Sequence, residues 1–226
     1  VVNGWGGPRM LDAYEAERLP ITEQVSRFAM DHCIRMAAQR GSVPDDIEDD
    51  TPEGETARKA LGRQVYDLNV QQYCAGGLNF GYFYDASPVI AYDGESAPGY
   101  SMAQFTPSTV PGCRVPHFWI EDGVSLFDRL GTGYTLLRTD RGVDWTPFEK
   151  AARDAGVPLK LLDVTPPESV RQDYVTPLVL VRPDQHVAWR GHAGNVDAAA
   201  VIDKVRGAAS GARDQADRSS SSSEAA

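Results

Sequence analysis

The chain has 226 residues, 42% of them hydrophobic, and a formal net charge of −10. This length holds one or two domains of ordinary size, each able to bury a core. Its apolar runs fall short of the ~20 residues that a membrane-spanning helix needs, and its acidity argues against a nucleic-acid partner, whose affinity rests on clustered Lys and Arg.

Three cysteines, Cys33, Cys74 and Cys113, are odd in number and widely spaced. That pattern fits free thiols in a reducing compartment better than a disulfide framework. No secretory signal opens the chain, so the expectation is a cytoplasmic protein. Taken in order, Pro8 to Arg18 reads as a helix, with Leu11, Tyr14 and Arg18 on one face. Ahead of it, Val1-Val2-Asn3-Gly4 has neither a start methionine nor a strand, and reads as the end of an earlier helix in a longer protein. Ile21 to Gln39 is a second helix, because Ile21, Val25, Phe28, His32, Cys33 and Met36 recur at helical spacing before Gly41. Pro44 to Gly54 carries Asp45, Asp46, Glu48, Asp49 and Asp50, a composition that reads as an exposed loop. A third helix, Glu55 to Gln72, places Leu61, Val65 and Leu68 on one stripe.

From Cys74 to Ser108 the pattern changes to glycine, proline and aromatic residues, which predicts an extended connector with one or two short strands. After Pro111 the pattern alternates. Phe118 to Ile120, Tyr134 to Arg138 and Leu159 to Val164 read as strands, and Pro147 to Ala155 and Val196 to Arg206 as helices, an α/β layer arrangement. Leu178 to Val181 is continuous enough for a strand covered on both faces. Arg182-Pro183-Asp184-Gln185 turns the chain, and His186 to Arg190 returns antiparallel, with Val187 and Trp189 on one side and His186, Ala188 and Arg190 on the other. On this pattern Trp189 anchors the core and Arg190 reaches water. From Ala208 onward the serine-rich sequence reads as a disordered tail.

Several stretches together resemble the FAD-dependent aromatic-ring hydroxylases. Gly4-Trp5-Gly6-Gly7-Pro8 followed by Leu11-Asp12-Ala13-Tyr14-Glu15-Ala16-Glu17-Arg18-Leu19-Pro20 is similar to the motif after that family's flavin-binding core. Gly81 to Ile90 resembles the connector of its phenol and chlorophenol hydroxylase branch. Pro111-Gly112-Cys113-Arg114-Val115-Pro116-His117, Thr135 to Arg138 and Val179 to Asp184 with Val187 to Arg190 look like its C-terminal thioredoxin-like domain. The resemblance implies an α/β fold class, with an N-terminal helical segment followed by a thioredoxin-like domain whose mixed sheet is flanked by helices. Its divisions would be 1–75 from the end of the flavin-binding domain, 76–110 as connector, 111–207 as thioredoxin-like domain and 208–226 as tail. It also implies a parent monooxygenase that uses FAD, NAD(P)H and oxygen to hydroxylate a phenolic ring. Within that enzyme this part would be structural, packing on the upstream FAD-binding domain of the same polypeptide or forming a homodimer contact. A stand-alone, redox-inactive thioredoxin-like interaction module is the alternative. The family's cis proline at the start of this strand has a counterpart in Thr176-Pro177, although only ~5% of X-Pro bonds in folded proteins are cis.

The residues themselves assign no catalytic, cofactor-binding or metal-binding side chain to this chain. No Gly-x-Gly-x-x-Gly follows a strand to set a pyrophosphate on a helix N-terminus. Gly131-Thr132-Gly133 precedes a strand and lacks the third glycine. The turn at the thioredoxin redox position, Asp140 to Trp145, holds no cysteine, and no Cys-x-x-Cys occurs. Cys113, His117, His186 and His192 have poor zinc spacing, and no Gly-x-Ser-x-Gly elbow is present. Glu15, Glu17 and Arg18 read as surface groups or an anchoring ion pair. Phe80, Tyr82, Phe83 and Tyr84 either border an aromatic substrate or reflect alternating strand faces.

Overall fold

A computed structural model describes residues 1–192, 194 and 196–208, so the expected tail lies outside the described residues from 209 onward. The chain divides into two units, one of Arg18–Tyr82 with Gly99–Thr106 and one of Val1–Glu17, Phe83–Pro98 and the chain from Pro107 onward.

The first of these is helical. Helix α1, Arg9–Arg40, supplies it from Arg18 on, and α2, Pro52–Tyr73, and the short α3, Gly76–Phe80, follow. The helix expected to break at Pro20 instead runs through it. The proline removes one backbone hydrogen bond and crowds the preceding turn, at a cost of about 3 kcal/mol, while Glu17, three residues before it, is anchored by Arg182. The acidic segment is largely exposed, as expected, but contains a turn of helix. Asp45–Glu48 is a 3-10 turn, and Arg58 Nη1 donates to the carbonyls of Ile47 and Asp49, both at 2.9 Å. Thr51 caps α2 by accepting from Gly54 N–H at 3.1 Å. A Cβ at Gly54 would lie 2.2 Å from the Asp49 carbonyl oxygen, so this close approach requires glycine.

The other unit is built on a sheet. An antiparallel ribbon of β1, Trp119–Glu121, and β2, Val124–Ser125, leads into α4, Leu126–Arg129, through a capping box between Ser125 and Asp128. Strands β3, Tyr134–Arg138, and β4, Leu159–Asp163, are parallel and joined by α5, Thr146–Asp154. The one-turn α6, Glu168–Arg171, precedes β5, Leu178–Val181, which pairs antiparallel with β3 and with β6, Val187–Gly191. Helix α7, Ala198–Val205, closes the unit, and the four-stranded order is β4-β3-β5-β6.

Every residue of β5 is buried, as its unbroken aliphatic run predicts. On one face Leu136, Leu178, Leu180, Ala188 and Trp189 pack with Phe148 of α5 and Val201, Ile202 and Val205 of α7. On the other, Leu137, Val179, Val181 and Val187 pack with Val115, Phe118, Leu126 and Tyr174. Val187 and Trp189 therefore lie on opposite faces, contrary to simple alternation. Leu180 faces Trp189 while Val181 faces Val187, so Ala188 is the extra residue of a β-bulge that turns the strand over.

The second correction at this strand concerns Arg190, which is 6% exposed. Its guanidinium donates to Asp93 Oδ2 at 2.7 Å and Thr109 Oγ1 at 3.2 Å and pairs with Glu95. Those partners come from the connector, which among the described residues forms no strand between α3 and β1. Its backbone nevertheless covers the β6 edge: Ala91 N–H donates to Ala188 and Gly112 N–H to Val187, each at 2.8 Å. A covered edge has no row of free amides to recruit another chain. The Thr176–Pro177 bond is trans, as no cis bond occurs among the described residues.

Two substitutions at β6 test this packing. Trp189→Ala is expected to cost ~3 to 5 kcal/mol through lost burial and a cavity beside Phe148. Arg190→Ala is also expected to destabilise, by ~2 kcal/mol or more, because buried hydrogen-bonding groups lose their partner. Urea unfolding measures both, and a neutral Arg190→Ala would show that the connector does not depend on this guanidinium.

Candidate functional site

The densest polar constellation of the sheet-containing unit surrounds the turn between β5 and β6. Arg182 N–H donates to the His186 carbonyl at 2.8 Å and Gln185 N–H to the Arg182 carbonyl at 3.0 Å. Pro183 presets the turn, and Gln185 at φ 71° takes the left-handed position that ends it. This geometry sends the Arg182 side chain to Glu17 of α1. Nη1 reaches Glu17 Oε1 at 2.5 Å and Nη2 reaches Oε2 at 2.8 Å and Asp184 Oδ2 at 2.9 Å. A planar guanidinium matches both carboxylate oxygens at once, which gives the pair direction as well as strength.

Further groups complete the shell. Ser87 Oγ donates to Glu17 Oε1 at 2.5 Å, and Tyr92 O–H donates to the Tyr84 carbonyl while accepting from Ser87 N–H, both at 2.8 Å. The Arg182 guanidinium lies over the Tyr84 ring at 5.3 Å, and the His186 ring is 4.3 Å from that of Tyr84. Burial pushes the Tyr92 hydroxyl up to about 12. Burial also opposes ionisation of Asp184, but hydrogen bonding to His186 and the Arg182 charge outweigh it and hold the carboxyl well below the usual range. Burial likewise disfavours the Arg182 charge, yet Glu17 and Asp184 raise its affinity for the proton further. A network of charges satisfied by one another binds its segments together.

The other candidates from the sequence separate in space. His117 Nε2 lies 2.9 Å from Ser125 Oγ, with the His117 ring edge-on to Trp119, while His192 is exposed. Cys113 is buried, and its thiol is pushed up to about 11 by that burial; Cys33 and Cys74 are exposed. Among the described residues, no group of three or more His, Cys, Asp and Glu could hold a metal ion. The Asp140 to Trp145 turn is occupied by its own bonds, Asp140 accepting from Gly142 N–H at 2.8 Å and Asp144 from Thr146 N–H at 2.9 Å. Of Glu15, Glu17 and Arg18, Glu17 is the buried one, although Tyr14, one turn before it on the same side of α1, is exposed. The aromatic cluster divides as well, with Phe80 and Tyr82 in the helical unit and Phe83 and Tyr84 in the other, lining a groove of about 350 Å³ with Tyr92 and Val110.

The Gly131-Thr132-Gly133 segment does not fit a flavin pyrophosphate. Gly131 N–H is spent on Thr135 Oγ1 at 3.0 Å, and a Cβ at Gly133 would meet the Pro158 carbonyl oxygen at 2.6 Å. Gly133 is thus required by the close approach of Pro158, whose carbonyl accepts from Tyr134 N–H at 2.9 Å. These glycines serve strand packing and leave no cradle of free amides.

Two predictions follow from the charge network. Glu17→Ala leaves Arg182 buried without its bidentate partner and is expected to cost ~3 to 5 kcal/mol, measured by urea unfolding against Glu15→Ala as a surface control. Asp184 supplies stability that is present above its unfolded pKa of ~3.9 and lost as the pH falls through its lower folded value. Asp184→Asn should therefore flatten the decline in stability below about pH 4, and parallel acid-unfolding curves for the two proteins would contradict this role.

Residues 108–210 match the profile described as aromatic-ring hydroxylase, C-terminal. The chain is 31% identical over 223 residues to the FAD-dependent monooxygenase apdD of Emericella nidulans, covering 93% of this chain and 35% of that protein. It is 28% identical over 225 residues to the phenol 2-monooxygenase of Pseudomonas sp., covering 85% and 37%. Among solved structures, RebC bound to K252c superposes with a TM-score of 0.81 at 32% identity, covering 92% of this chain and 39% of that one. The chain thus spans little more than a third of the length of the curated relatives it matches. It belongs to the aromatic-ring hydroxylase family, and its sheet-containing unit carries that family's C-terminal domain.

Proposed function

We propose that this chain is the C-terminal part of a flavoprotein monooxygenase that hydroxylates a phenolic or related aromatic substrate with FAD, NAD(P)H and oxygen. The observation that carries the reading is the extent of the similarity. It covers 93% of the chain against apdD and 92% against RebC, and so runs through the helices as well as the 108–210 domain. The cofactor supplies the oxidising chemistry when bound to the longer polypeptide; the residues here contribute structure.

In this reading residues 1–75 are a helical segment from the end of the flavin-binding domain and 76–110 a connector. Residues 111–207 are a thioredoxin-like domain, a reading supported by the β-α-β unit of β3, α5 and β4 followed by the antiparallel β5-β6 pair and α7. The chain supplies no catalytic, cofactor-binding or metal-binding residue of its own. It packs on the FAD-binding domain or forms a dimer contact, in a cytoplasmic enzyme; among the described residues no helix is long and apolar enough to cross a membrane.

Equilibrium dialysis tests the division of labour. The isolated chain is expected to show no saturable FAD binding at micromolar concentration, and the longer polypeptide to bind FAD stoichiometrically. Stoichiometric binding by the isolated chain would place a flavin site within these residues and overturn the reading.

A further inference from the structure

On α1, Gln24, Phe28, Asp31, His32 and Arg35 recur at helical spacing and fall on one side of the helix. Their side chains line a cleft of about 310 Å³ within the helical unit, together with Gln71 of α2 and Met102. That volume is at the small end of ligand sites, which run from ~300 to 1,000 Å³. One wall is aromatic, since the Phe28 and His32 rings stack with centroids 5.8 Å apart and 28° between their planes. Met102 is held in place, its carbonyl accepting from Leu78 N–H at 3.1 Å and its Sδ from Tyr100 O–H at 3.0 Å. The polar groups are not committed in this way. His32 is 5% exposed, and its Nε2 is buried without a hydrogen-bond partner. Buried polar atoms are nearly always satisfied, so an orphan beside a cleft points to a partner brought from outside. Asp31 and Arg35 stand one turn apart in the order that favours an ion pair, yet form none, whereas Glu23 and Arg27 pair at 3.5 Å. The Gln24 and Gln71 side chains likewise take no partner among the described residues.

We infer that this cleft is a binding site for a small aromatic monocarboxylate. Arg35 offers a planar set of donors that matches both oxygens of a carboxylate. The amides of Gln24 and Gln71 and the His32 ring add uncharged donors around it. The ligand's ring meets Phe28 and His32 in an offset or edge-on arrangement and the polarisable sulfur of Met102. Charge then narrows the choice. Among the described residues Asp31 is the one carboxylate lining the cleft, so a second negative charge on the ligand is repelled and a monoanion is preferred to a dianion. A ligand cation would instead face the Arg35 charge and leave the guanidinium donors unused. The site lies wholly within the helical unit, and the inference does not rest on the flavoprotein reading.

The probe is benzoate, titrated into the polypeptide that carries this chain with every histidine isotopically labelled at Cε1 for magnetic resonance. The His32 signal is the one lost in His32→Gln; should that variant fail to fold, the Overhauser contact with the stacked Phe28 ring assigns the same signal. The expected result is a saturable shift of the His32 signal with a dissociation constant on the order of 1 mM, a modest affinity suited to a ligand of few atoms. Benzamide keeps the ring without the charge and should bind about tenfold more weakly or worse, as should benzoate to Arg35→Met. Arg35 is exposed, so that substitution spares the fold. Asp31→Asn should tighten benzoate and reduce the discrimination against phthalate, a dianion. A His32 signal that stays still at about 20 mM benzoate would overturn the site, even where other signals shift, because binding elsewhere leaves this ring untouched. Equal binding of benzamide, or tighter binding of benzylammonium, would overturn the assignment of a carboxylate ligand.

Discussion

The bidentate pair between Glu17 and Arg182 is the interaction on which the sheet-containing unit most depends. It joins residues 165 positions apart, one on α1 and one at the end of β5. Glu17 is 4% exposed, so neither charge can be removed without stranding the other. Around it the chain has placed what a buried charge needs: a second carboxylate from Asp184, a hydroxyl from Ser87 and the face of Tyr84. Asp184 comes from the hairpin turn itself, and Ser87 and Tyr84 from the connector. The pair joins the start of α1, the connector and the hairpin turn, all parts of a unit assembled from separate stretches of the chain.

A second clasp acts on the same unit from the opposite direction. Gly7 N–H donates to the Arg206 carbonyl at 2.7 Å, Arg206 Nη1 donates to the Trp5 carbonyl at 3.3 Å, and Trp5 packs edge-on to Tyr134 at 6.1 Å. A Cβ at Gly7 would meet the Gly207 carbonyl oxygen at 2.3 Å, so only glycine lets the two backbones approach. The Gly-Trp-Gly-Gly stretch thereby closes onto the end of α7. Residues 1–17 are part of the folded unit and not a leader to it, although the matched family domain begins only at 108.

Legibility in the sequence followed how local the governing physics was. Tyr134–Arg138 and Leu178–Val181 could be read to the residue because continuous aliphatic runs bounded by turns have few other uses. The hairpin turn was legible through Pro183 and Asp184. The bulge at Ala188 was not, since an inserted residue leaves no compositional mark and yet reverses every side chain beyond it. Arg190 was misjudged in the same way, and for Glu17 the sequence left a surface group and an anchoring ion pair open, of which the structure forms the pair, with Arg182. Each looks like a surface group on its own element, and each is buried by a partner that approaches from far along the chain. Only the residue pairing itself, invisible in one sequence, could have revealed them. The face of α1 near Tyr14 shows the same limit, because burial there follows the charge of Glu17 and not the apolar Leu11 and Tyr14.

The chemistry of the sheet-containing unit points in one direction. The loop before α5 has spent its donors on Asp140 and Asp144, and Cys113, its only cysteine, is held protonated by burial. A redox site needs an accessible thiolate with a partner, and none is formed among the described residues. What the unit has instead is a sheet covered on both faces, with the β6 edge also closed by the connector. The backbone donors and acceptors of such a body are largely paired within it. The buried charges at Glu17 and Arg182 add direction to that packing, because they give the first turns of α1, up to Glu17, a defined seat where apolar contact alone would tolerate sliding.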